Sequence, residues 1–161
     1  MTKLAKVTNF QLERLLKEDL KVDNFVGVYP ADMWPKRLGK GKSFISNTDP
    51  SDLPGEHYVA FFKHEKNTFF YFDPLAQPIE HYSYLWRRNG QRYRTFVAVL
   101  NSPIQAALSR FCGYFCCNYI LAQNRKYATC IRPFTLNPSK LAANDVMAVR
   151  NLKKCLVQRN K

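Results

Sequence analysis

Three residues whose types suit nucleophilic chemistry occur in fixed order. His57 opens the run His57-Tyr-Val-Ala-Phe-Phe, Asp73 closes Thr68-Phe-Phe-Tyr-Phe-Asp73, and Cys112 begins Cys-Gly-Tyr-Phe-Cys-Cys. A thiol, an imidazole base and a carboxylate that fixes one imidazole tautomer are the components of a cysteine nucleophile. Seven residues before the cysteine, Gln105 offers a side-chain amide that could donate to an oxyanion, with the Cys112 backbone N–H as the natural second donor.

Two elements must bring these groups together. Residues 57–63 and 68–73 are rich in aromatic and β-branched side chains around the polar His64-Glu-Lys-Asn67, which predicts two strands and a turn. Antiparallel pairing about residue 65 sets His57 opposite Asp73. The apolar, proline-free stretch from Ser109 to about Gln123 predicts a buried helix with Ser109 as N-cap and Cys112 in its first turn. The helix dipole and a nearby imidazolium favour the thiolate there.

Elsewhere, Thr8 caps a predicted helix through about Leu20, with Phe10, Leu12, Leu15, Leu16 and Leu20 as its apolar face. Further strands are expected near 43–47 and 95–100, the second of them covered on both faces. A last helix is expected from Ser139 to about Val157. The order is that of a single α+β domain over residues 1–161, a central, mostly antiparallel sheet packed against the cysteine helix, compatible with a papain-like arrangement.

Composition narrows the setting. No apolar stretch is long enough to span a bilayer, and Met1-Thr-Lys-Leu-Ala-Lys has no signal-peptide core, so a soluble intracellular protein, not secreted and without a membrane partner, is expected. Five cysteines, three of them clustered, form a poor disulfide framework. Cys116 and Cys117 read as small buried hydrophobes. No Cys-x2-Cys pair occurs, so a metal site is not expected. His64, in the predicted turn, and His81 read as structural or exposed.

The net charge of +13 sits in one half of the chain: residues 81–161 carry 14 Lys or Arg and Asp145 as their one acid, whereas residues 1–80 balance. Arg87, Arg88, Arg92, Arg94, Lys153 and Lys154 form two basic clusters that suit non-specific phosphate contacts with nucleic acid. The plainer reading is a solvated basic surface.

His57-Tyr58, Phe72-Asp73-Pro74, Gln105 and Cys112-Gly113-Tyr-Phe-Cys116-Cys117 resemble the motifs of adenovirus-type maturation proteases. Phe25-Val-Gly-Val-Tyr29 and Ser43-Phe-Ile-Ser-Asn-Thr48 extend the resemblance over about residues 8 to 125. More distantly, the residue order is similar to the proteases that process SUMO. The resemblance implies a thiol endopeptidase of a virus, virophage or virus-like transposon that matures capsid and other virion precursors at Gly-containing sites. In it Cys112 is the nucleophile, His57 the base and then the acid, Asp73 the orienter, and Gln105 an oxyanion donor. Tyr58, where the family has tryptophan, would roof a narrow substrate channel; Gly113 would allow either substrate approach or close packing.

Asp73 replaces an adenoviral glutamate and matches the SUMO-protease carboxylate. The adenoviral cysteine that joins an activating viral peptide has no counterpart, since Arg94 stands at that spacing and no cysteine precedes residue 112. No cofactor is required by the sequence, and stimulation by DNA or by a non-covalent viral peptide stays open. The implied setting is the virion and the cytoplasmic or nuclear virus factory of the infected cell, with the protein a monomer. Two alternatives are an isopeptidase for SUMO- or ubiquitin-like modifiers, and a non-catalytic nucleic-acid-binding accessory protein.

Overall fold

The computed structural model describes residues 6–90 and 94–161. Thr8 caps the first helix through a capping box with Gln11. The helix runs as α1 (Asn9–Arg14) and then widens into a π turn over Leu15–Asp19. Leu12, Leu16 and Leu20 are its fully buried face.

Five strands, β1 (Phe25–Tyr29), β2 (Ser43–Asn47), β3 (Tyr58–Glu65), β4 (Thr68–Phe72) and β5 (Thr95–Ala98), lie in the order β1-β2-β3-β4-β5. The α+β class holds, but the sheet is mixed rather than mostly antiparallel. β2-β3 and β3-β4 are antiparallel, whereas β1-β2 and β4-β5 are parallel. Parallel neighbours need a long crossover, and the one between β4 and β5 carries α2 (Ser83–Asn89). That helix has no sequence signature, because Leu85 and Asn89 are its only buried residues and leave no apolar stripe. β5 is an exposed edge strand, not one covered on both faces; Val97 and Val99 are exposed.

The β3-β4 turn is tighter than its polar sequence suggests. Glu65 pairs with Thr68, so the turn is Lys66-Asn67 and His64 belongs to β3, its ring stacked on Phe70. A bulge between Lys63 and Glu65 shifts the register, so that Phe61 faces Tyr71 and Ala60 faces Phe72.

Alternation along β3 divides the interior. Tyr58 and Ala60 join a core with α1, α3 (Cys112–Ala122) and α4 (Ala142–Arg159). Val59 and Phe61 face a second, aromatic core that includes Phe44, Phe69, Tyr71 and Leu85, with Trp34 packed on it. Nine of the eleven α3 residues are buried, which makes it a central helix with no solvent face. Its one buried amide, Asn118, donates to Tyr114 O and Ala148 O and accepts from Asn151 Nδ2, locking α3 to α4. Among the described residues no helix is long and apolar enough to cross a membrane.

Candidate active site

His57 lies one residue before β3 and Asp73 one residue after β4, at the same end of the sheet. Their meeting does not come from cross-strand pairing, as the count about residue 65 expected. The observed register extrapolates to Leu75 opposite His57. Asp73 reaches the imidazole because the chain turns sharply there. Its carboxylate accepts from the N–H of Leu75 and of Gln77, Ala76 N–H donates to Asp73 O, and Ala76 takes the left-handed conformation with φ of 55°.

His57 Nε2 donates to Asp73 Oδ1 at 2.7 Å. The other carboxylate oxygen, Oδ2, accepts from Tyr82 Oη at 2.7 Å and lies 3.5 Å from Tyr71 Oη. With Asp73 2% exposed, these donors replace the water it gave up on folding. Tyr82 also stacks its ring on the imidazole, with centroids 5.6 Å apart. Nothing in the sequence marks Tyr82, which stands immediately before α2.

The approach to His57 is set by Gly55. It has φ of +77°, and a Cβ there would come within 2.3 Å of Asn47 Nδ2, so only glycine fits. Its carbonyl accepts from Lys6 Nζ. Lys6 thereby joins the residues around the site.

Cys112 is the first residue of α3 rather than part of a turn capped by Ser109. Phe111 occupies the N-cap without a side-chain hydrogen bond, while Ser109 Oγ accepts from Phe111 N–H and donates to Asp145 Oδ1. The thiol therefore sits at the positive end of the helix dipole, among N–H groups that have no intrahelical partner.

Since Nε2 is committed to Asp73, Nδ1 is the imidazole nitrogen left for the thiol, and the two side chains line the same cavity, close enough for each to shift the other's pKa. Burial pulls the His57 pKa down, but hydrogen bonds to Asp73 and Cys112 outweigh it and raise it from an ordinary 6.5 to about 9. Burial likewise pushes the Cys112 thiol up. The imidazole, together with the backbone N–H groups of Tyr58 and Gly113, more than compensates, leaving its pKa below the ordinary thiol value. Opposite shifts in one such pair favour a thiolate–imidazolium ion pair.

The other cysteines differ. Burial raises the thiols of Cys116 and Cys117 far above the ordinary range. Cys155 is pushed up to about 12, by burial and by its neighbour Cys130. All five are free thiols.

Cys112, His57 and Gln105 line one cavity of about 550 Å³, together with Lys6, Gln77, His81, Tyr82 and Arg110. His81 is exposed, as expected, yet belongs to this rim. Gln105 is 3% exposed. Pro74 O accepts from the N–H of both Ile104 and Gln105, which ties the Gln105 segment to the Asp73 turn. Its side-chain Nε2 donates to Ser109 O at 2.8 Å, one amide hydrogen remains, and its Oε1 is buried without a partner.

Tyr58 is not among the residues lining the cavity of Cys112, and Gly113 takes the close-packing side of its two readings. Tyr58 is 3% exposed, its hydroxyl donates to Asn9 Oδ1, and its ring borders a neighbouring cavity with Val7, Asn9, Asn47 and Pro54. A Cβ on Gly113 would come 2.7 Å from Val7 Cγ1 and 3.0 Å from Leu12 Cδ1, so this glycine serves close packing against the N-terminal segment. What both residues offer the thiolate is a backbone N–H.

The basic residues do not converge here. Arg87 and Arg88 border a depression with Asp32 and Asp52, Arg94 lies over the Trp34 and Phe69 rings, and Lys153 and Lys154 line a separate cavity beside Cys130. Arg92 lies outside the described residues. Among the described residues no three His, Cys, Asp or Glu side chains gather as a metal site would require.

No protein-family model matches the chain, and no curated protein matches it in sequence.

Proposed function

We propose that the protein is a cysteine endopeptidase with a papain-like disposition of nucleophile and base, and that it acts in virion maturation on capsid and other precursors, as its resemblance to adenovirus-type proteases implies. The observation that carries the reading is the buried His57–Asp73 pair at 2.7 Å, sharing a cavity with a cysteine at the first position of a helix.

In the proposed reaction the Cys112 thiolate attacks a peptide carbonyl and forms a C–S bond. The oxyanion is stabilised by the Cys112 N–H and the remaining amide hydrogen of Gln105. His57, already protonated, gives its proton to the leaving amine as the C–N bond breaks, and Asp73 holds the ring for that transfer. Neutral His57 then takes a proton from water, which attacks the thioester, releases the acid and restores the pair.

Incubation with a peptide library derived from a digested proteome tests the reading. Cleavage concentrated at Gly-containing sites, absent in Cys112→Ala, supports it. Absence of any cleavage with the intact protein, including in the presence of DNA, counts against it and favours the nucleic-acid-binding alternative. Preferential cleavage of SUMO-tagged substrates favours the isopeptidase.

A further inference from the structure

We infer that Asp145, on the last helix, is a positioning residue for the oxyanion hole and acts on both of its donors through Ser109. The inference rests on the proposed function above.

The hydrogen bonds form a branched chain. Asp145 Oδ1 accepts from Ser109 Oγ at 2.8 Å. A hydroxyl that donates its single hydrogen in one direction has its lone pairs turned to the other, and there Phe111 N–H donates to Ser109 Oγ at 3.2 Å. Phe111 is the N-cap of α3, so this branch ends one residue before the Cys112 N–H. The second branch runs through the Ser109 carbonyl, which accepts from Gln105 Nε2 at 2.8 Å.

The orientation of the Gln105 amide follows from that carbonyl alone. Its Oε1 is buried with no partner, a state that costs about 1–3 kcal/mol and gives the amide no preference of its own. Turned over, the amide would place Oε1 against Ser109 O, two acceptors in contact. The Ser109 carbonyl therefore fixes which way round the amide sits and leaves Nε2 with one spare hydrogen, in a residue that lines the same cavity as Cys112.

The position of Ser109 is in turn set from α4. Asp145 lies in the first turn of that helix, where the dipole favours a carboxylate. The preceding residue, Asn144, donates to Ile104 O at 2.8 Å and so holds the other end of the Gln105 segment. This assigns a purpose to the one acid in the basic half of the chain. Asp145 touches neither Cys112 nor the cavity around it, so its effect is indirect.

The test compares two reactions of the same thiolate. In acetylation by 4-nitrophenyl acetate, Cys112 Sγ adds to the ester carbonyl, an oxyanion forms, and 4-nitrophenolate leaves to give S-acetyl Cys112. In alkylation by iodoacetamide, Sγ displaces iodide directly and no oxyanion arises. Both rates are read at Cys112 by mass spectrometry in the full chain and in Asp145→Ala, Asp145→Asn and Ser109→Ala, with far-UV circular dichroism recorded for each.

Asp145→Ala is expected to lower acetylation about tenfold, part of what loss of a whole oxyanion donor costs, while alkylation stays within about twofold. Asp145→Asn, which keeps an acceptor for the serine hydroxyl, is expected to recover most of the loss. Ser109→Ala should resemble Asp145→Ala. The inference is overturned if acetylation is unchanged in folded Asp145→Ala, or if both reactions fall in proportion in Asp145→Asn as well. If Cys112 of the unmodified protein reacts with both reagents no faster than free cysteine, the endopeptidase reading fails first and the inference with it.

Discussion

Tyr82 Oη donates to Asp73 Oδ2 at 2.7 Å while the same ring stacks on His57. One side chain thus braces both Asp73 and His57, the carboxylate by a hydrogen bond and the imidazole by contact with its face. A hydrogen bond to a charged group contributes roughly 1.5–3 kcal/mol, and Asp73 loses it without losing the stacking in Tyr82→Phe.

Tyr82→Phe should therefore fold normally and cleave peptides roughly tenfold more slowly, mostly in kcat, because a less firmly held Asp73 orients His57 less well. Steady-state kinetics on any peptide cleaved by the intact protein checks this. An unchanged kcat would mean that Leu75 and Gln77 N–H hold the carboxylate without help.

The pH profile of hydrolysis has a sign on each limb. The Cys112 pKa is lowered, so the thiolate persists to lower pH than for an ordinary thiol, and activity falls only as pH drops through that lowered value. The His57 pKa is raised to about 9, so the proton required by the leaving amine is present below that pH and lost above it. A bell with its alkaline limb near 9 is expected. Hydrolysis that keeps rising beyond that pH would show that His57 does not supply the proton.

Gly113→Ala places two effects in opposition. Alanine is the better helix residue by up to about 1 kcal/mol, but its Cβ would meet Val7 Cγ1 at 2.7 Å and Leu12 Cδ1 at 3.0 Å. Overpacking of that kind costs roughly 1–3 kcal/mol, so the variant should melt several degrees lower, on the order of 2–4 °C per kcal/mol. Thermal denaturation checks this, and addition of Val7→Ala should return most of the loss.

His57, Asp73 and Cys112 stand out in the sequence because each begins or ends an apolar run, and strand ends, turns and helix starts are where a sheet presents chemistry. The register was not readable, because the turn centres on Lys66-Asn67 rather than on residue 65 and the Lys63–Glu65 bulge then shifts the pairing by one residue, and neither leaves a mark in composition. Thr8 was legible as a cap through its partner Gln11. Ser109 was misread as one, because a serine before an apolar run gives the same pattern whether its hydroxyl accepts from the helix or is tied to Asp145. α2 has no apolar face by which its sequence could reveal it, and the parallel β4-β5 edge and the place of Tyr82 depend on that helix. The place of Tyr58 behind the N-terminal segment depends on Val7 and Asn9, some fifty residues away in sequence.

The most direct measurement is the pH dependence of iodoacetamide alkylation at each of the five cysteines, by mass spectrometry, in the intact protein and in His57→Ala. An activated pair predicts that Cys112 alone reacts rapidly below the ordinary thiol range, that the fully buried Cys116, Cys117 and Cys155 stay protected in the fold, and that His57→Ala removes the Cys112 advantage. Titration of Cys112 as an ordinary thiol, or a profile indifferent to His57→Ala, would contradict the account.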